Sequence, residues 1–362
     1  MRFVLILLLY GGIQIYFATK AIRAFNLAGW GWTLALVWAG LMTIGPLLQW
    51  RLERYPDCHA LAVSGAWIVF GWMGFSFLFI WLGLAMDMYG WGARLASLPM
   101  PAVRPAFLVL VLLTSALWMV GFYSARHPRV ERVTIYSDKL PAGPGLRIAQ
   151  ISDVHLGILI GKQRLDRILE KLNELQPDIL VSTGDLVDAE AHYVDGLSSR
   201  FAAYQPRYGK FAVTGNHERY AGLEHALDFH VRSGFKLLRW EAADVTETVT
   251  LAGVDDPAVR ASKTDEARIL DAIPAGRFIV LLKHQPVIDP QSRFDLQLSG
   301  HTHNGQIFPF GLLVKTVYPL IEGRYDLPGG RQLYVSRGTG TWGPPIRFLS
   351  PPEITLIELK RP

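Results

Sequence analysis

Four stretches of this 362-residue chain contain no Asp, Glu, Lys or Arg: Phe3 to Thr19, Ala24 to Trp50, Ala60 to Met86 and Pro105 to Ser124. About 20 apolar residues cross the hydrocarbon layer as a helix, so each stretch is read as a membrane span. In lipid every backbone polar group must be paired within the segment, which makes helices the expected form. Trp30, Trp32, Trp50, Tyr89 and Trp91 lie near the expected ends, where amphipathic rings favour the interface. A soluble bundle would have to hide four helices that are apolar on every face. The first stretch is read as a retained helix rather than a signal peptide, because three spans follow and no small-residue cleavage site stands after Thr19.

Charge is distributed to match. Residues 1–130 hold nine Lys/Arg against three Asp/Glu, and the remainder holds 27 basic against 28 acidic residues. The basic excess therefore flanks the spans, and the rest of the chain has no net basic field for a polyanion, so nucleic acid is not an expected partner. Arg2, Arg51, Arg54, Arg126, Arg129 and Arg132 fall on one side, and Lys20, Arg23, Arg94 and Arg104 on the other. By the positive-inside rule both ends of the chain are expected in the cytoplasm. Cys58 is the only cysteine, which excludes an intramolecular disulfide and any thiolate metal cage.

From about Val130 the texture changes to short apolar runs that alternate with helical periodicity, an α/β pattern. The segments 147–151, 179–182, 211–214, 248–254, 278–282, 294–298, 333–336 and 354–359 read as strands. Residues 163–175 read as a helix, because Leu165, Ile168, Leu172 and Leu175 recur at intervals of three and four before Pro177. The expected organisation is a four-helix transmembrane region over 1–126, a connector over 127–144 and an α/β domain over 145–362.

The polar residues of note stand immediately after apolar strands: Asp153-Val154-His155, Gly184-Asp185, Gly215-Asn216-His217-Glu218, His284, and Gly300-His301-Thr302-His303. Loops beyond the carboxyl ends of strands converge on one edge of an α/β sheet, so residues 150 positions apart can meet there. Imidazole together with carboxylate suits manganese, iron or zinc. Two cations about 3.5 to 4 Å apart need a bridging group, for which a carboxylate is the natural choice. For Asp153 and His155, or His301 and His303, to project the same way, the backbone is expected to remain extended.

These five blocks, in this order, resemble the calcineurin-like metallophosphoesterase superfamily. Tyr334 to Thr341 and Pro352 to Leu356 are similar to its bacterial membrane-associated phosphodiesterase branch. The resemblance covers about residues 145 to 360. It implies a four-layer α/β sandwich, two mixed sheets flanked by helices, here preceded by the all-α transmembrane region. It also implies two divalent metal ions (Mn, Fe or Zn), with Asp153, His155 and His303 on the first, Asn216, His284 and His301 on the second, and Asp185 between them. His217 would stabilise the transition state or protonate the leaving oxygen. The reaction implied is hydrolysis of a phosphodiester or pyrophosphate bond by a metal-activated hydroxide. With four spans the expected substrate is lipid-linked or a nucleotide-lipid, the expected neighbour is the bilayer, and the expected location is the cell (inner) membrane with the catalytic domain cytoplasmic.

Other readings stay open at this stage: a metal-binding scaffold or sensor without turnover, and a phosphodiesterase for soluble substrates. A transporter has only the spans in its favour, since all four can be drawn without an ionisable residue. Asp188 and Glu218 read equally as orienting groups or as solvated loop carboxylates. Arg219 and Arg337 are candidate phosphate contacts, with ion pairing the plainer expectation. Asn304 stands where close relatives often have Gly. The apolar stretch 308–320, Trp342 and Phe348 could contact lipid or a lipid substrate, with ordinary core packing the plainer expectation.

Overall fold

The computed structural model describes residues 2–260 and 265–362. The chain divides into two compact units, Met1–Tyr123 with Gly343–Phe348, and Ser124–Trp342 with Leu349–Pro362.

The first unit consists of α1 (Arg2–Phe25), α2 (Trp30–Leu52), α3 (His59–Leu95) and α4 (Val103–Ala125). All four helices are long and apolar enough to cross a membrane. They run past the charge-free stretches: α1 takes in Lys20 and Arg23, and α3, at 37 residues, takes in Asp87 and Arg94. At 1.5 Å per residue α3 extends about 55 Å, well beyond the roughly 30 Å hydrocarbon layer, so its charged end has room outside it. Lys20 pairs with Asp87, which also accepts from the Tyr16 hydroxyl at 2.7 Å. The interior of this unit is aromatic and partly polar: Phe17 packs edge-on to Trp72 and Phe79, and Trp72 donates to Gln14, which donates to Ser76. Gly343–Phe348, within the range expected for the α/β domain, groups with these helices. Its Ile346 lies against Gly74 and Gly121, where a Cβ would crowd it at 2.9 and 3.2 Å.

The second unit contains β1 (Arg129–Tyr136), β2 (Leu146–Ile151), α5 (Lys162–Leu175), β3 (Ile179–Ser182), α6 (Ala191–Val194), α7 (Leu197–Ala203), β4 (Lys210–Ala212) and α8 (Asn216–Arg232). It continues through β5 (Phe235–Leu237), β6 (Glu241–Asp244), β7 (Val249–Gly253), α9 (Asp265–Asp271), β8 (Phe278–Leu282) and β9 (Leu296–Ser299). The last elements are α10 (Phe310–Val314), β10 (Gly323–Asp326), β11 (Gln332–Val335) and β12 (Glu353–Lys360). One six-stranded sheet has the order β1-β12-β2-β3-β4-β5 and the other β10-β11-β9-β8-β7-β6. Both are mixed: β2 to β5 and β7 to β9 with β11 run parallel, while β12 against β2, β6 against β7 and β10 against β11 are antiparallel.

The two sheets face each other across a shared core in which Ile148, Val181 and Phe211 of the first meet Leu251, Val280 and Leu298 of the second. A second core seats Leu165, Ile168 and Leu172 of α5 on the outer face of the first sheet, and a third places Leu270 against Ile279 and Leu281 of the other. This is the expected four-layer sandwich of two mixed sheets flanked by helices. The stretch 127–144, expected as a connector, instead carries β1, which pairs with β12 from Arg129 to Tyr136. Only Ile135 of this edge strand is buried, so its sequence lacks the apolar run that marked the others. For the same reason the polar edge strands β6 and β10 escaped the strand reading.

Candidate metal centre

Every strand that feeds the site is buried and ends in a sharp turn. Asp153 and His155 follow β2, Asp185 follows β3, Asn216 and His217 open α8 after β4, His284 follows β8, and His301 and His303 follow β9. The extended backbone expected for the Asp-x-His and His-x-His pairs is not what occurs: Asp153, His155, Asp185, His301 and His303 have φ of 51°, 53°, 53°, 71° and 50°. A left-handed residue costs about 1–2 kcal/mol and persists only where its surroundings hold it. Here the holding contacts are backbone bonds between adjacent loops, Asp153 N–H to Gly184 O and His155 N–H to Asp185 O, both 3.0 Å. Asn304, with φ 47°, adopts the same conformation, which explains why a position that often carries Gly accepts Asn.

Two glycines permit the close approach of these loops. A Cβ on Gly215 would lie 2.1 Å from Asp185 Oδ1, and one on Gly300 would lie 2.2 Å from Asp153 Oδ2.

The donors fall into three overlapping groups with ligand atoms within 4.8 Å of one another: Asp153, His155 and His303; His155, Asp185 and His217; and Asp185, His284 and His301. His155 Nε2 and His303 Nε2 are 3.1 Å apart, and His301 Nδ1 and His284 Nε2 are 3.2 Å apart. Asp185 Oδ2 lies 3.1 Å from His284 Nε2 and 3.9 Å from His155 Nε2, between the two sets. The donor chemistry fits two divalent cations on three counts. Imidazole nitrogens converge in pairs. His284 Nδ1 lies 2.8 Å from Thr183 O, a contact that as a donor leaves Nε2 with its lone pair. Asn216 Oδ1 is buried with no hydrogen-bond partner, as an oxygen reserved for a ligand would be.

The carboxylates favour positive charge on two of the imidazoles. Burial opposes ionisation of Asp185, but His284 and His217 outweigh it and hold its carboxyl well below the usual range. Burial likewise opposes protonation of His217, yet Asp188 and Asp185 push its pKa up to about 9. His284 is raised well above the usual value against the same opposition, chiefly by Asp185. His301, by contrast, is pushed down to about 4 by burial and by His284. A cluster that stabilises positive charge this way stabilises divalent cations for the same reason.

Around the donors lie groups whose roles the sequence left open. Glu218 is fully buried and accepts from the N–H groups of Asp185 (3.0 Å), Leu186 (2.7 Å), Val187 (3.2 Å) and Gly215 (2.7 Å), so one carboxylate ties the loop of Asp185 to the start of α8. Asp188 spans His217 Nδ1 at 2.5 Å and His155 Nδ1 at 3.2 Å. Arg337 is not a phosphate contact: its guanidinium is engaged by Glu353 at 2.6 Å and Glu131 at 2.5 Å. Arg219 is exposed one residue after Glu218. Aromatic rings edge the donors, with Tyr220 5.3 Å and Trp342 5.6 Å from His217, and Tyr318 5.0 Å from His301. Trp342 is exposed, contrary to the expectation of core packing, and no period-based signal could have placed it beside His217.

Comparison with known proteins shows what the chain is similar to. Residues 146–305 match the family model described as calcineurin-like phosphoesterase. An uncharacterised metallophosphoesterase from Aquifex aeolicus is 39% identical over 64% of this chain and 92% of its own length. A Danio rerio protein named transmembrane protein with metallophosphoesterase domain is 34% identical over 71% of this chain and 63% of its own length. Among solved structures, a 5'-nucleotidase precursor from Thermus thermophilus is similar with TM-score 0.34 at 15% identity, covering 55% of this chain and 49% of that one.

Proposed function

We propose, from the premise that this membrane protein belongs to the calcineurin-like metallophosphoesterase family, that it hydrolyses a phosphodiester or pyrophosphate bond in a lipid-linked or nucleotide-lipid substrate. The observation that carries the hydrolytic reading is that His155, His217, His284 and His301, from four different loops, group with one carboxylate, Asp185. Asp153, His155 and His303 would hold one divalent cation (Mn, Fe or Zn), Asn216, His284 and His301 the second, and Asp185 both. Such cations supply Lewis acidity to the phosphoryl oxygens and a nucleophilic water at neutral pH.

The chain's own residues do the rest. His217, whose protonated form Asp188 and Asp185 favour, would donate a proton to the leaving oxygen or offset charge in the transition state. Asp188 fixes the direction of that imidazole and of His155 at once. Exposed Arg219 is available to a second phosphate group, as a pyrophosphate substrate would require. A cell (inner) membrane is the location this reading takes, and the distribution of Arg and Lys about the spans supports a cytoplasmic site.

The test is turnover by purified full-length protein supplied with Mn²⁺. Hydrolysis of bis-p-nitrophenyl phosphate supports a phosphodiesterase, and faster turnover of a lipid pyrophosphate in the same bilayer supports the lipid-linked reading. Metal binding with neither activity refutes both.

A further inference from the structure

The second unit places most of its large apolar side chains inside, but one run departs from this. Of the eleven large hydrophobic residues exposed on that unit among the described residues, five lie within ten positions: Phe308 (51% exposed), Phe310 (43%), Leu312 (62%), Leu313 (60%) and Val317 (70%). The expectation that 308–320 packs in the core is thus wrong for these side chains. The run is ordered. Its backbone is hydrogen-bonded through α10, with Phe310 N–H on Ile307 O, Leu312 N–H on Pro309 O and Lys315 N–H on Gly311 O. Ile307 (5%) and Ile321 (2%) anchor its two ends in the interior. Adjacent apolar side chains held out to solvent on a hydrogen-bonded backbone mark a contact surface.

Charge indicates what covers it. From Asn304 to Ile321 the chain contains no Asp or Glu, and Lys315, exposed between Leu313 and Val317, is its only charged residue. An apolar knob with one cation and no anion is complementary to an anionic bilayer surface. The rings and branched side chains would enter the boundary between headgroups and acyl chains, and the lysine would reach back to the phosphates. The four membrane-length helices of this chain keep a bilayer tethered to it at high effective concentration.

We propose that Phe308–Val317 is a second, peripheral membrane contact, through which the α/β unit lays its surface on an anionic leaflet. The segment begins five residues after His303, and Tyr318 at its far end packs against His301. Lipid contact here would therefore hold the rim of the metal centre at the bilayer surface. The inference goes beyond the hydrolytic reading and is measured without turnover.

The experiment uses full-length protein in nanodiscs, with Cys58→Ser as background and Leu313→Cys carrying a polarity-sensitive fluorophore. The expected result is blue-shifted emission quenched by spin-labelled lipids at least about twofold more than from the same label at exposed Val231, and more strongly in phosphatidylcholine with phosphatidylglycerol than in phosphatidylcholine alone. Lys315→Glu should remove the dependence on anionic lipid. Water-like emission without lipid quenching overturns the proposal. So does blue-shifted emission that lipid quenchers cannot reach, which would mark a protein partner or a second copy.

Discussion

The two units of this protein solve burial in opposite directions. In the helical unit Leu5, Ile6, Leu8 and Leu9 are exposed while Gln14, Gln49, Ser76 and Thr114 are buried. In the α/β unit Ile148, Val181, Leu282 and Leu298 are fully buried, and Asp153, His155, Asp185, His217, His284 and His303, buried polar residues, belong to the candidate metal centre. The difference shows how much solvent decides. Lipid competes with helix packing for apolar side chains, so small residues, aromatic contacts and a few polar pairs hold the helices together. Water does not compete, so the sandwich is held by its apolar layers and can tolerate five strained residues at its site.

That contrast can be broken experimentally. The largest effect is expected from Asp185→Ala, which removes the group shared by both ligand sets. Turnover should fall roughly 10³-fold or more with loss of bound metal, while the helical unit is untouched. Bound metal at wild-type stoichiometry by elemental analysis would remove Asp185 from the bridge. His217→Ala should keep its metal and lose roughly 10² to 10⁴ in kcat, the range of proton-transfer catalysis. Retained kcat would remove the role assigned to it.

Glu218→Gln replaces an acceptor of four backbone N–H groups with a side chain that presents its own donors. It should cost the α/β unit about 3 kcal/mol, or roughly 6–12 °C in unfolding temperature, seen by thermal unfolding with and without Mn²⁺. An unchanged midpoint would show that the two loops do not depend on this carboxylate.

A subtler effect concerns pH. Asp188 and Asp185 raise the pKa of His217 to about 9, so the protonated form needed for donation is lost as pH rises through that value. In Asp188→Asn the largest raising contribution is gone, and the alkaline fall in kcat should move to lower pH. A pH–rate profile that does not move would dissociate Asp188 from the titration. Smallest of all, Asp87→Asn removes a partly exposed pair with Lys20 and should weaken the helical unit by less than about 1 kcal/mol. Activity toward a soluble diester should stay the same, and a change in kcat would mean that the helices do more than anchor.

Much of this was legible without the fold. Absence of charge marked the spans, and clusters such as Gly-Asn-His-Glu and Gly-His-Thr-His after apolar runs singled out eight candidate residues, seven of which fall in the three donor groups. What was misread shares one cause. Backbone conformation at Asp153 or His301 depends on loops that approach from another strand, so an extended continuation looked natural where left-handed turns occur. Glu218 could not be told from a solvated carboxylate, because its four donors lie on two loops, three of them about 30 positions away. The stretch 308–320 looked like core because hydrophobicity alone does not say which side of a surface a residue takes.

By itself, then, the chain's composition and pattern determined which segments avoid water and which residue types could bind metal, since both are properties of single side chains and their spacing. Only the tertiary structure decided that Asp185 stands between two ligand sets, that Glu218 clamps their loops and that Gly343–Phe348 groups with the helices. These depend on distances between residues remote in sequence, and only the assembly of sheets and helices sets such distances.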